Sequence, residues 1–147
     1  MAFKFSSELR RQQCVGGSLK SILDGGIVRV YSGPVPASAD SGVLESNVTL
    51  CDITNGEEGL TFEATANNAT LTKSLSEVWQ GNNAENGVAT FFRFIMPTDS
   101  GLMSSTEVRI QGSVGGPSSD LTISNATLIK GAPQRLEYFA IALLESA

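Results

Sequence analysis

Two copies of the tripeptide Asp-Ser-Gly are the nearest approach to a catalytic pattern in this chain. They lie at residues 40–42 and 99–101. Aspartic proteases use two such loops to place a pair of carboxylates that share one proton. Here each copy lies in a stretch of turn-forming and small residues, and neither follows an apolar strand that would fix its geometry. We therefore interpret both copies as turns.

Other reactive residue types are sparse. The 147 residues include no histidine, which excludes the usual Ser or Cys triads, a histidine general base and His-ligated zinc. Glu57 and Glu58 are adjacent, whereas the two acids of a glycosidase must flank a cleft from separate elements. Residues 112–116 are rich in glycine but lack the lysine of a phosphate-binding loop. We predict that the protein is not an enzyme and holds no cofactor and no metal.

The charge is distributed unevenly along the chain. The formal net charge is -5, which disfavours nucleic acid as a partner because phosphate contacts need clustered Lys and Arg. Residues 1–31 carry five basic and two acidic residues, a net charge of +3, so the remainder carries -8. This asymmetry suggests that the two parts face different surroundings. The simpler alternative is a solvated helix without a partner.

The two cysteines and the N-terminus bear on the compartment. Cys14 and Cys51 have no C-x-x-C spacing, and we predict two free thiols, as is typical of a reducing cytosol. The first residues lack the apolar run of a signal peptide, and no 18-residue apolar stretch occurs. We therefore expect neither export nor a membrane partner.

The first part of the chain has helical spacing. The apolar pattern predicts a helix that begins at Ser6 or Ser7 and ends at Gly16, and a shorter one between Ser18 and Gly25. Residues 1–26 would thus form an N-terminal helical arm.

From residue 27 onward the period changes to two, and β-branched and aromatic runs alternate with turn residues. This pattern predicts an all-β protein, an antiparallel sandwich or barrel of about eight strands over residues 27–147, within a single domain overall. The apolar residues of 88–96 and of 134–144 lie on both faces, which predicts central strands, whereas 60–65 has one polar face. Ser74–Glu77 matches a capping box and predicts one helical turn. The predicted strands are 27–31, 47–53, 60–66, 69–73, 87–96, 107–114, 120–124, 126–130 and 134–144.

Three segments carry a resemblance to a known family. They read ILDGGIVRVYSGPVPASAD at 22–40, GVATFFRF at 87–94 and QGSVGGPSSDL at 111–121. With the opening helix, these segments resemble small structural proteins of tailed bacteriophages. The shared motifs consist of turn glycines and apolar strand residues, and the chain departs from the family pattern in its longer acidic loop at Glu57 and Glu58.

The resemblance implies a capsid cement or decoration protein. Such proteins in short-tailed phages tend to be jelly-roll sandwiches that sit as dimers over joints between major capsid subunits. The expected partners are therefore the major capsid protein and a second copy of the chain, and the expected location is the outer surface of the virion, after synthesis in the cytoplasm of the bacterial host. Open sheet edges in a sandwich of this size also favour pairing of two copies.

We predict that the capsid contact lies in residues 1–24. Its apolar anchors would be Phe3, Phe5 and Leu9, and its basic residues, facing acids of the coat, would be Arg10, Arg11 and Lys20. The alternative for this segment is that the helix only covers one end of the sandwich. For the whole chain, the alternatives are a tail or neck component, a receptor-binding module, or a small hydrolase that acts on the host envelope.

Overall fold

The computed structural model describes residues 3–65, 69–116, 119–123 and 125–142. Within these residues the chain forms two short helices and a series of short strands. In chain order they are β1 (Lys4–Phe5), α1 (Ser7–Val15), α2 (Leu19–Leu23), β2 (Ile27–Tyr31), β3 (Thr49–Ile53), β4 (Thr70–Thr72), β5 (Trp79–Asn82), β6 (Gly87–Val88), β7 (Phe91–Ile95), β8 (Arg109–Gly115), β9 (Leu121–Thr122), β10 (Thr127–Leu128), β11 (Pro133–Leu136) and β12 (Ala140–Ala142).

One larger sheet organises these strands. Its order is β1-β8-β7-β2-β3, all antiparallel, and β9 pairs in parallel with the end of β8. The remaining strands form the pairs β10–β6, β11–β5 and β12–β4. The β11–β5 pair extends the larger sheet, because Thr54 next to β3 exchanges two backbone hydrogen bonds, 3.1 and 3.0 Å long, with Gln80 of β5. The predicted all-β, antiparallel, sandwich-like fold with an N-terminal helical segment is confirmed.

The predicted strand 87–96 divides in two: β6 pairs with β10, and β7 alone is the central strand of the larger sheet. Phe92 and Phe94 lie on the face that meets the hydrophobic core, and Phe91, Arg93 and Ile95 lie on the opposite face. All five side chains are buried. A strand is covered on both faces only when further layers pack on each side. Here the second layer consists of loops rather than strands, and those loops form the candidate site below.

The core on the other face is built around Phe139. Its ring centroid lies 5.7 to 6.2 Å from those of five other aromatic rings, which are Phe3, Phe62, Trp79, Phe92 and Phe94. Phe139 stands between β11 and β12, where the chain turns from one strand pair to the next. The prediction that 134–144 forms a central strand is therefore wrong, since the run breaks so that this ring can enter the core. Residues 143 and 144 of the predicted strand lie outside the described residues.

Two further sequence predictions are corrected. Residues 60–65 form no strand; they contribute only the single bridges of Leu60 with Gly26 and of Phe62 with Lys73. The segment at Ser74 makes a turn rather than a helical turn, because the carboxylate of Glu77 is engaged elsewhere. It accepts hydrogen bonds from Thr61 and from the indole nitrogen of Trp79.

The N-terminal segment is joined to the main sheet. Ser6 and Ser18 cap the two helices as predicted, and α1 ends at Gly16. Strand β1, which the sequence did not predict, pairs with Ile110 and Gln111 of β8. Residues 1–26 therefore include an edge strand of the sheet and are more than a helical arm.

The acidic loop carries a local conformational strain. Gly56 and Glu57 both have positive φ, 59° and 72°, between Asn55 and Glu58, which exchange two backbone hydrogen bonds of 3.0 Å. This is a two-residue hairpin turn of the type that requires φ > 0 at both central positions. Glutamate is disfavoured in that region because its Cβ approaches the following carbonyl.

Replacing Glu57 with glycine is expected to raise the free energy of unfolding by about 0.5–1 kcal/mol, because relief of the positive-φ strain outweighs the entropy cost of glycine. The matched control is Glu58→Gly, because Glu58 is equally exposed but lacks a positive φ. That change is expected to lower stability by about 0.5–1 kcal/mol through the entropy of glycine in the unfolded chain. Urea denaturation of both variants measures the difference, and equal effects of the two substitutions would contradict the strain.

Candidate partner-binding surface

The two Asp-Ser-Gly turns, which are far apart in the sequence, meet at one arginine. Arg109 of β8 donates to both carboxylate oxygens of Asp99, at 2.7 and 2.8 Å. The same guanidinium donates to the carbonyl oxygens of Ala39, at 3.1 Å, and of Leu102, at 2.6 Å. One side chain thus ties the loop that contains Asp40 to the loop that contains Asp99.

The Arg109–Asp99 ion pair is fully enclosed. Neither side chain has exposed surface. Burial alone would raise the pKa of Asp99, but hydrogen bonds from Arg109 and from the Gly101 amide outweigh it, and the pKa is lowered. A bidentate, buried pair with its other donors satisfied holds its partners in a fixed geometry. The 99–102 turn is therefore rigidly attached to the sheet.

Residues 36–41, which we call the strap, cross the polar face of the sheet and are held through their backbone. Each of the six consecutive carbonyl oxygens accepts a hydrogen bond from a side chain of the sheet. The pairs are Pro36 with Gln111, Ala37 with Lys4, Ser38 and Ser41 with Arg93, and Ala39 and Asp40 with Arg109.

Arg93 lies under the strap without a carboxylate of its own. Its Nε donates to Gln111 at 3.0 Å and its Nη2 to Ser41 at 2.6 Å, whereas Nη1 is buried without a partner among the described residues. Burial, and next the neighbouring Arg109, lower its pKa to about 10. The groups that accept hydrogen bonds from this arginine are all neutral, which fits a structural role for its side chain.

Helix α1 is attached to the same two loops. The backbone nitrogen of Ser7 donates to Asp40 at 2.8 Å, and the Ser7 hydroxyl donates to the same carboxylate. Burial opposes ionisation of Asp40, but the Ser7 hydrogen bonds and then Arg10 and Arg109 lower its pKa. Ser104 donates its backbone nitrogen to the carbonyl oxygen of Asp40 at 3.0 Å. Asp40 thus connects α1, the strap and the 99–104 loop.

These contacts decide between turn and catalytic interpretations of the Asp-Ser-Gly copies. In a dyad that shares one proton, one carboxyl has a strongly raised pKa. Here the pKa values of Asp40 and Asp99 are both lowered, and each carboxylate is satisfied by its own donors. The interpretation as turns is confirmed, and the two carboxyls form no protease-like dyad.

No protein-family model, no curated protein and no solved structure matches this chain.

The predicted contact residues divide into an inward and an outward set. Leu9 has no exposed surface, and Phe3 and Phe5 pack half-buried against the core. Leu9 therefore offers a partner no surface in this fold, because the side chain fills the space between α1 and the sheet. Arg10 and Arg11 are exposed, and Lys20 is half-buried.

The basic residues of the N-terminal segment are mostly paired within the chain. Arg11 contacts Glu8 at 2.6 Å, Lys20 contacts Asp24 at 2.5 Å and Arg29 contacts Asp52 at 2.7 Å. Lys4 and Arg10 are exposed and form no ion pair with the described residues. The positive charge available to a partner is therefore concentrated at these two positions.

Three exposed apolar side chains, which we call the apolar cluster and which the sequence did not predict, lie on the joined loops. Leu44, Leu102 and Met103 are 59%, 67% and 81% exposed. The loops touch through their backbones: the Val43 nitrogen donates to Gly101 at 2.9 Å, and a Cβ added at Gly42 would lie 2.8 Å from the Met103 nitrogen. One sequence signal could have revealed this surface: the adjacent apolar residues Leu102 and Met103 directly follow an Asp-Ser-Gly turn.

A concave region of about 560 Å³ lies between β9 and β11 and is lined in part by Phe3, Asp120, Glu137 and Tyr138. Its acids have structural partners, since Asp120 accepts from the Ser113 amide at 3.0 Å and Glu137 contacts Arg135 at 3.0 Å. The described residues contain no cluster of three His, Cys, Asp or Glu side chains placed to hold a metal ion. None of the described helices has the length and apolar character needed to cross a membrane.

Proposed function

We propose that this chain is a structural protein of a tailed-phage virion, a cement protein that binds the major capsid protein on the outside of the head. It has no enzymatic role in this proposal. It would stabilise the shell by mass action, because binding to the expanded shell alone lowers the free energy of that state. The added binding energy would oppose the internal pressure of the packaged DNA.

The observation that carries the proposal is the rigid mounting of an exposed surface. A fully buried ion pair, six carbonyl contacts and a helix N-terminus hold two loops that expose three large apolar side chains, Leu44, Leu102 and Met103. Preorganised surfaces bind without a large loss of loop entropy. The phage-like motifs support the same function, although their residues build turns and strands: Asp24, for example, accepts from the Phe62 amide at 3.1 Å.

We include self-association into a dimer in the proposal. The open sheet edges that the sequence predicted as a reason for pairing support it less than expected. The β1 edge is two residues long, and the β11 edge begins with Pro133 and carries the Arg135–Glu137 ion pair. Short strands, proline and charge are the usual protection of sheet edges. A dimer would therefore use a surface other than strand pairing at these edges.

A shell-binding assay tests the function. The protein is mixed with expanded heads, and separately with unexpanded heads, assembled from the major capsid protein of the same genome and purified without this chain. We expect saturable co-sedimentation with expanded heads and a higher temperature of shell disruption. Absence of binding to heads would contradict the proposal. Binding to isolated tails or to host cells would replace it with the tail, neck or receptor-binding alternatives.

A further inference from the structure

We infer that the contact with the partner is made by the platform, which we define as Leu44, Leu102 and Met103 on their joined loops together with Arg10 on α1. This inference rests on the proposed function. It moves the expected contact away from the inward-facing anchors Phe3, Phe5 and Leu9. The partner surface would be a folded protein with an apolar patch and carboxylates beside it on the side that meets α1.

The backbone of the apolar part of the platform is fixed on both sides of Leu102 and Met103. Met103 follows Leu102, whose carbonyl oxygen binds Arg109, and Ser104 binds Asp40, so both ends of the exposed pair are fixed to buried groups. Exposed apolar side chains on such a fixed support mark protein contacts, and they dominate the binding energy when a partner covers them.

Charge indicates the chemistry of the partner. Among the described residues, the exposed basic side chains without an ion pair are Lys4, Arg10 and Lys130. Lys4 reaches the strap at Ala37, at 3.0 Å, and Arg10 reaches Ser7, at 3.4 Å, beside Asp40. Two of these three cations therefore lie on the α1 side of the platform. Glu45, next to Leu44, is exposed, so the surface carries an acid as well.

Partner carboxylates are the group that complements Lys4 and Arg10. In a chain of net charge -5, two exposed cations that lack an ion pair, of which Arg10 lies beside Asp40 through the Ser7 hydroxyl, favour an acidic partner surface and orient it. A second copy of this chain, whose body is acidic, is the competing occupant. The experiment separates these two occupants, because binding to the shell and self-association of the free protein are measured independently.

The test uses the full chain and the same expanded heads. Leu102→Ser combined with Met103→Ser is expected to weaken shell binding roughly tenfold or more, because two apolar side chains are removed from the contact. Arg10→Glu is expected to weaken binding and to reduce its dependence on salt. The matched control is Leu75→Ser, since Leu75 is 85% exposed in a turn outside the platform; it should bind as the unchanged protein does.

The free thiols provide an internal reporter. Cys14 is exposed on α1, whereas Cys51 is buried, and burial followed by Asp52 raises its pKa to about 12, so maleimide should label Cys14 alone. Full binding of the Leu102→Ser, Met103→Ser variant, with Cys14 shielded on the shell, would overturn the inference and place the contact on the outer face of α1. Loss of self-association with unchanged shell binding would assign the platform to a second copy and also overturn it.

Failure of the inference and failure of the function are distinguishable. If the unchanged protein does not bind heads, the proposed function is wrong. If it binds and the platform variants bind equally well, the function stands and the platform assignment is wrong. Thermal unfolding of each variant shows that weaker binding is not loss of fold, because substitutions of exposed side chains should leave the unfolding midpoint nearly unchanged.

Discussion

Replacing Arg109 with methionine is expected to lower the free energy of unfolding by about 3–5 kcal/mol. The substitution leaves the Asp99 carboxylate buried without its cation, and it removes the donors to the carbonyl oxygens of Ala39 and Leu102. The 38–44 and 99–104 loops should therefore loosen together. Guanidinium denaturation measures the loss, and amide hydrogen exchange in the two loops measures the local effect.

A double-mutant cycle makes this prediction specific to the ion pair. Asp99→Leu alone should be similarly destabilising, because it leaves Arg109 as a buried, unpaired charge. The combined Arg109→Met, Asp99→Leu variant should lose less than the sum of the two, since neither charge remains. Arg11→Met, which removes the exposed partner of Glu8, is the control and should change stability far less than Arg109→Met does. Strict additivity in the buried cycle would contradict the account.

The second large effect is expected at Phe139, where replacement with alanine should cost about 3–5 kcal/mol. The ring touches Phe3, Phe92 and Trp79, at centroid distances of 5.8, 5.9 and 5.7 Å, so its loss leaves a cavity that no single neighbour can fill. Chemical denaturation measures the change. The slope of unfolding against denaturant should stay the same, because the native core remains buried.

Tyr138→Ala is the matched control for Phe139→Ala. Tyr138 is the preceding residue and 69% exposed, so the same loss of an aromatic ring should change stability by about 0.5 kcal/mol or less. Comparable losses at the two positions would mean that residues 137–139 adopt a different alternation in solution, with Tyr138 rather than Phe139 in the core.

The sequence correctly predicted those helices and strands that are determined by residues close together in the chain. The serine caps of both helices, the β-branched run of β2 and the two-faced apolar pattern of β7 all depend on neighbours within a few residues. Strands β1 and β5 were missed because they are short, and Trp79–Asn82 contains polar residues and a glycine. They are strands because Lys4 of β1 pairs with Gln111, and Gln80 of β5 pairs with Arg135, both far along the chain.

The sequence predicted only part of the candidate site, because several of its contacts join residues that are far apart in the chain. Charge counting located the basic segment. The pairs of Arg11 with Glu8 and of Lys20 with Asp24 have helical spacing, whereas the pair of Arg29 with Asp52 joins two strands and requires the fold. The two Asp-Ser-Gly turns were correctly interpreted one at a time. Nothing in the sequence shows that they share Arg109, which is 10 residues from Asp99 and about 70 from the other turn.

The strap also bears on how freely this part of the sequence can diverge. Its shape depends on backbone carbonyl oxygens, which every amino acid has, and on Lys4, Arg93, Arg109 and Gln111 of the sheet. Among its side chains, the buried Ala39, the Ser7-bound Asp40 and a contact of 3.0 Å between the Ser38 and Ser41 hydroxyls also take part in that shape. We expect the exposed positions Ala37 and Ser38 to accept substitutions without loss of the path, so a randomised library at these two positions would vary surface chemistry on a constant backbone.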